Sequence, residues 1–184
     1  CRIDYTWGIV QDECGQVQFM AQPDINESSA AFSWDVNCDD SIESFASNPL
    51  FDFNPCGDTS TVCLIADYGN GRICTHEEVI IVPPTPLTFD PITNEEAFIE
   101  VEGIIGSDGI CSAEIDIPTP TVNSCTQVGI INDYNNTGNA SGTYPEGTTI
   151  VTFTAFNSCM DTTTIQISVT VTCSTRNCGE AVIT

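Results

Sequence analysis

The sequence predicts an all-β fold: two tandem β-sandwich domains stapled by disulfides. Three observations lead there. Short runs rich in Val, Ile, Thr and Phe are separated by Gly, Pro, Asn and Asp, and no long stretch repeats apolar residues at i, i+3, i+4 and i+7. Eleven cysteines in 184 residues far exceed ordinary usage. A proline cluster, Val82-Pro83-Pro84-Thr85-Pro86, splits the chain into halves of similar length, each closing with an apolar strand.

Taken in chain order, the first domain spans residues 1–82. Its first strand is bracketed by Cys1 and Cys14, and its last is Glu78-Val79-Ile80-Ile81-Val82. Residues 83–86 read as a stiff, extended linker, because three prolines in four positions do not suit a central strand. The second domain spans residues 87–173 and carries the clearest pattern in the chain. From Ile165 to Thr172 apolar and polar residues alternate strictly, which puts Ile165, Ile167, Val169 and Val171 on one face. The run 150–156 is its neighbour, with Val151, Phe153 and Ala155 toward the core. Thr152 and Thr154 face water, with Ile150 and Phe156 at the ends of that face; threonine's branched carbon favours the strand and its hydroxyl tolerates solvent. Residues 174–184 form a C-terminal extension, and its β-prone Ala181, Val182 and Ile183 are candidates for pairing with a neighbour's sheet edge.

Two stretches carry family resemblances. "GTYPEGTTIVTFTAFNSCMDTTTIQISVTV" resembles the end of a hyalin repeat (HYR) domain, and "DGICSAEIDIPTPTVNSC" its earlier part. "FSWDVNCDDS", with Trp34 and Asp35, and "STVCLIADYGNGRICTHEEVIIV" resemble a PKD domain. Both families are immunoglobulin-like sandwiches of secreted and surface proteins of bacteria. The resemblance implies spacers, adhesion modules or polymer units. It also implies a bridge between the last two strands of the first domain, Cys63 to Cys74. A two-residue turn at Asn70-Gly71 would separate those cysteines. Either the loop is longer, about residues 66–71, or Cys63 pairs elsewhere, for example with Cys14.

The other cysteines read as staples of small domains. Cys38 and Cys56 flank one loop, and Cys125 is the expected partner of Cys159. Cys173 and Cys178 either close a small loop or tie to Cys111. The number is odd, so one thiol is left for modification or for linkage to another chain. Disulfides place the protein outside the cell or at its surface. No signal peptide is visible, so an exported form starts after a cleaved leader or belongs to a longer chain, and Cys1 is also where a lipoprotein would carry its lipid.

Composition narrows function. The 26 acidic residues against three arginines and no lysine give a formal net charge of −23. Nucleic acid and anionic membrane surfaces are excluded as partners, because both require cationic side chains. Isopeptide cross-links through lysine are excluded too. No run reaches the roughly 18 apolar residues of a membrane helix. The one histidine, His76, starts no HExxH motif, and the adjacent pairs Asp39-Asp40, Glu77-Glu78 and Glu95-Glu96 point to nothing specific about glycoside hydrolysis, which needs a defined separation across a cleft, so the expectation is no enzyme. Asp35, Asp39 and Asp40 are candidate Ca2+ ligands from one loop. Asn26, Asn135 and Asn139 open glycosylation sequons. The resulting reading is a structural subunit of an extracellular fibre or surface assembly, self-associating or joined to neighbouring domains. The alternative is a carbohydrate- or cell-surface-binding module with a glycan against Tyr5, Trp7, Tyr68 and Tyr134.

Overall fold

The computed structural model describes residues 2–11, 13–24 and 30–174, and the chain divides into two compact units, Cys1–Thr85 and Pro86–Thr184. Cys1, Cys178, Asn26 and the proposed donor residues Ala181, Val182 and Ile183 lie outside the described residues.

The first unit contains β1 (Ile3–Ile9), β2 (Gln16–Pro23), β3 (Ala31–Val36), β4 (Leu50–Asp52), β5 (Asp58–Asp67) and β6 (Ile73–Val82). One sheet has the order β1-β2-β4 and the other β3-β5-β6, all pairs antiparallel. That is the partition of the A-B-E and C-F-G sheets of an immunoglobulin-like sandwich. Period-two alternation builds the core: Ile3 and Tyr5 from β1, Val17 and Phe19 from β2, Val62, Leu64 and Ala66 from β5. Trp34 of β3 sits at the centre, fully buried, with its ring 5.2 Å from Tyr5 and 5.5 Å from Phe19. Burial, then the carboxylates of Glu78 and Asp4, hold the Tyr5 phenol well above its ordinary pKa.

The β5–β6 connection is a five-residue loop, 68–72, closed by bonds from Tyr68 N to Arg72 O and from Arg72 N to Gly69 O. Gly69, Asn70 and Gly71 all have positive φ, which explains the glycines there. The register sets Cys63 opposite Glu77 and Cys74 opposite Ala66. Cys74 is buried in the core, whereas Cys63 lies between the inward Val62 and Leu64 and points out of the other face. Opposite faces of one sheet do not bridge, so the expected Cys63–Cys74 pair is corrected. Cys63 pairs instead with Cys38, with Cα atoms 5.4 Å apart, which also replaces the expected Cys38–Cys56 loop and the Cys63–Cys14 alternative. Thr85 donates to Pro55 O from both its backbone N and its hydroxyl, so the proline segment starts anchored to this unit.

The second unit contains β7 (Thr88–Phe89), the short helix α1 (Asn94–Ala97), β8 (Phe98–Glu102), β9 (Ile104–Ile105), β10 (Cys111–Ile115), β11 (Val122–Asn123), β12 (Val128–Asn132), β13 (Gly142–Pro145), β14 (Gly147–Asn157) and β15 (Thr162–Thr172). The main sheet is β12-β14-β15-β8, the opposing one β13-β10-β9, with β11-β7 a separate pair. β14 and β15 follow the sequence reading: Val151, Phe153, Ala155, Ile167, Val169 and Val171 are buried. The outward threonines meet across the hairpin, Thr148 with Thr170 at 3.0 Å. Asn157 caps the turn, its side-chain oxygen accepting from the N–H groups of Cys159 and Asp161.

The first edge of this unit changes sheets midway. β8 runs parallel to β15, and β9 pairs antiparallel with β10. Gly103 is the crossing point. A Cβ there would lie 2.7 Å from Val171 Cγ1 and 2.9 Å from the sulfurs of both Cys111 and Cys173. Cys111 and Cys173 are bridged, one of the two arrangements open from sequence, and the bond ties β10 to the residue after β15 across the sandwich. The helix was not foreseen, although Thr93 and Glu96 carry its capping box.

Candidate functional site

Cys14, Cys56, Cys74, Cys125 and Cys159 are disulfide-bonded as well. Cys159 Sγ lies 4.0 Å from Thr126 Oγ1, beside Cys125 in sequence.

The loop after β3 is built around a buried acidic side chain. Asp35 is 4 % exposed, and its two carboxylate oxygens accept from Asp39 N at 3.1 Å and Asp40 N at 2.8 Å. Asn37, Cys38 and Asp40 all adopt positive φ, an uncommon conformation for non-glycine residues. Three tethers hold the loop there: the Cys38–Cys63 bond, Asn37 N to Thr61 O at 2.7 Å, and Ser60 Oγ to Asn37 Oδ1 at 2.6 Å. The chain then returns along β3, with Trp34 N donating to Ser44 O and Glu43 N to Trp34 O.

That return brings Glu43 to Asp35 and Asp39, with carboxylate oxygens all within 4.8 Å of one another. Of the expected trio, Asp35 and Asp39 lie in this cluster. Asp40 contributes its backbone N–H to Asp35, and Glu43 is the third member of the cluster. Glu43 was missed because the bridge between Trp34 and Ser44, which sets it there, is a tertiary feature. Glu43 Oε2 also accepts from Val36 N at 2.7 Å, and Asp39 Oδ1 from Ser41 N at 3.0 Å. Each oxygen keeps a second lone pair. The donor set is hard, anionic oxygen, which suits Ca2+, an ion that takes about six to eight oxygens. The three carboxylates would supply part of such a shell.

The aromatic residues considered for a sugar platform are divided between the two units. Tyr5 is buried, with its hydroxyl donating to Val62 O. Trp7 packs against the same core. The Tyr68 hydroxyl accepts from Asp24 N and donates to Arg2 O, and the Arg72 guanidinium sits 5.4 Å over its ring. Tyr134 stacks on Tyr144 at 4.3 Å, and burial first, then Tyr134 and Asp133, push the Tyr144 phenol up to about 12. Of these four residues Tyr5 is buried, and Trp7, Tyr68 and Tyr134 are half-buried.

Of the sequons, Asn135 is engaged inside its loop, accepting from Thr137 and Asn132 and donating to Ser141 O. Asn139 is exposed, and its side-chain oxygen accepts from Ser141 N. His76 has Nε2 3.5 Å from Asp4 and 3.9 Å from Glu78, edge-on to Tyr5. Among the described residues no helix is long and apolar enough to cross a membrane.

No protein-family model matches the sequence, and no curated protein matches it. Among solved structures, extracellular cadherin domains 3–6 of protocadherin gamma B2 match with a TM-score of 0.29 and 10 % identity, over 95 % of this chain and 51 % of that one. The chain thus spans about half the length of that structure.

Proposed function

We propose that the chain is a non-catalytic structural module of an extracellular assembly, joined to neighbouring copies through sheet contacts. One observation carries the reading. β6 ends its sheet, hydrogen-bonded only to β5 among the described strands, and its C-terminal half exposes Val79 at 59 % and Ile81 at 67 %. An end strand ten residues long with bare apolar side chains is a template for pairing that monomeric proteins usually blunt. Glu77 and Glu78 occupy its middle, so pairing is confined to the stretch from Val79 onward. The high negative charge opposes association at low ionic strength, so the test belongs at about 150 mM salt, where the screening length is roughly 8 Å. The non-reduced protein at about 100 μM is expected to form oligomers by light scattering, and V79K/I81K to remain monomeric. A monomeric parent protein, or unchanged oligomers in the variant, overturns the reading.

The cluster of Asp35, Asp39 and Glu43 supports Ca2+ as a stabiliser of the first unit. Extracellular modules bind calcium with Kd of about 10⁻⁴–10⁻³ M. At tenfold over Kd, binding to the folded state adds about 1.4 kcal/mol, which raises the unfolding midpoint by about 6–11 °C for a unit of this size. Calorimetry with 10 mM calcium should show that rise, and D39N/E43Q should abolish it. An equal rise in the variant would place the ion elsewhere.

A further inference from the structure

The second unit has a groove of about 430 Å³, which lies within the size range of ligand clefts. It opens between the segment leading into α1 and β8 and the segment 116–121. Its floor is apolar: Ile92, Ile99, Ile117 and Ile167, with Pro91, Pro118 and Pro120 as walls. Its lining also includes four carboxylates, Asp90, Glu95, Glu96 and Asp116.

Three of these carboxylates are held in place by hydrogen bonds. Asp90 accepts from Thr121 Oγ1 and Asn123 Nδ2, both at 2.6 Å. Asp116 accepts from Ser141 Oγ at 2.6 Å. Glu96 accepts from Thr93 N and Oγ1 in the capping box, which holds its carboxyl below the ordinary glutamate range. Positions fixed before binding cost little ordering when a ligand arrives.

Among the described residues of the unit, no cationic side chain is present to neutralise them. From residue 86 to residue 174 the sequence contains no lysine, arginine or histidine. Nor is the groove built for a metal ion. The acidic cluster compact enough to hold one, among the described residues, is the trio at Asp35, Asp39 and Glu43 in the other unit. Negative charge dispersed around an apolar floor fits a cation that carries hydrocarbon.

We propose that the groove docks a basic side chain, lysine or arginine, presented on an extended segment of a partner protein. The aliphatic stem lies on the isoleucines and prolines, and the charged head sits among the carboxylates, which is how such side chains divide between apolar and polar surroundings. The site goes beyond the association through β6 and does not depend on it, since the groove lies wholly within the second unit.

The test is fluorescence anisotropy of the full, non-reduced chain at about 150 mM salt, with a fluorescein-labelled Gly-Ala-Lys-Ala-Gly peptide as probe. The same peptide with norleucine for lysine is the comparison. Saturable binding of the lysine peptide is expected, with the norleucine peptide at least tenfold weaker. E95Q/D116N should weaken it about fivefold, each exposed charge being worth a few-fold at most. E13Q/E77Q removes the same charge from the first unit and should change affinity less than twofold. Equal binding of the two peptides, equal losses in the two variants, or no saturable binding overturns the proposal.

Discussion

Replacing Cys111 and Cys173 together by serine is expected to cost the second unit about 4 kcal/mol. The two residues are 62 apart in sequence, and their bond joins β10 of one sheet to the end of β15 in the other. A cross-link over a loop of that length removes roughly 4 kcal/mol of chain entropy from the unfolded state. The Cys38–Cys63 bond closes 25 residues and should be worth nearer 3.5 kcal/mol. Domains carry only about 5–15 kcal/mol in total, so losing the longer cross-link removes a large share. The local geometry raises the stakes, because Gly103 turns the chain from β8 into β9 directly against both sulfurs. Urea denaturation of non-reduced C111S/C173S beside the parent measures the loss. A cost below about 1.5 kcal/mol would mean that apolar packing alone holds the two sheets together.

The variant also separates what was legible in the sequence from what was not. Alternation gave the faces of β14 and β15 residue by residue, since pleating is local and Val151, Phe153, Val169 and Val171 had to go one way. The same rule was available at Ile3, Tyr5 and Trp7. Reading them as a strand face would have placed Tyr5 in the core, where it is, and removed it from any sugar platform. Cysteine pairing was less accessible. Cys63 and Cys74 sit in one hairpin, yet the register turns them to opposite faces, and Cys38 reaches Cys63 only because the loop folds over the outer side of β5. Sites built from distant segments left no local trace. Glu43 joins Asp35 through the isolated bridge of Trp34 to Ser44, and the groove needs residues 90–99, 116–121 and Ile167 brought together. The parallel pairing of β8 with β15 belongs to the same class: Ile99 and Val101 alternate visibly with Glu100 and Glu102, but alternation does not name a partner.

Trp34→Ala is expected to cost the first unit about 4–5 kcal/mol, the upper part of the range for truncating a buried aromatic. Trp34 has no exposed surface and meets Tyr5 and Phe19 edge-on, so the void opens at the centre of the core. Its indole N–H donates to Ala46 O at 2.8 Å, and truncation leaves that carbonyl without the bond. Trp34→Phe fills part of the volume but orphans the same carbonyl, so it should cost about half as much. The damage should also spread along β3. Asp35 is the next residue, and the loop that it organises closes through the backbone bonds of Trp34 to Glu43 and Ser44. Trp34→Ala should therefore weaken the calcium-dependent rise in the unfolding midpoint as well as lower the midpoint itself, whereas Val17→Ala, on β2 in the same core, should lower the midpoint and leave the calcium increment intact. Chemical denaturation followed by near-ultraviolet circular dichroism, with and without calcium, separates the two effects. If both variants lose the same fraction of the increment, the loop depends on the stability of the whole core and Trp34 has no special hold on the carboxylates.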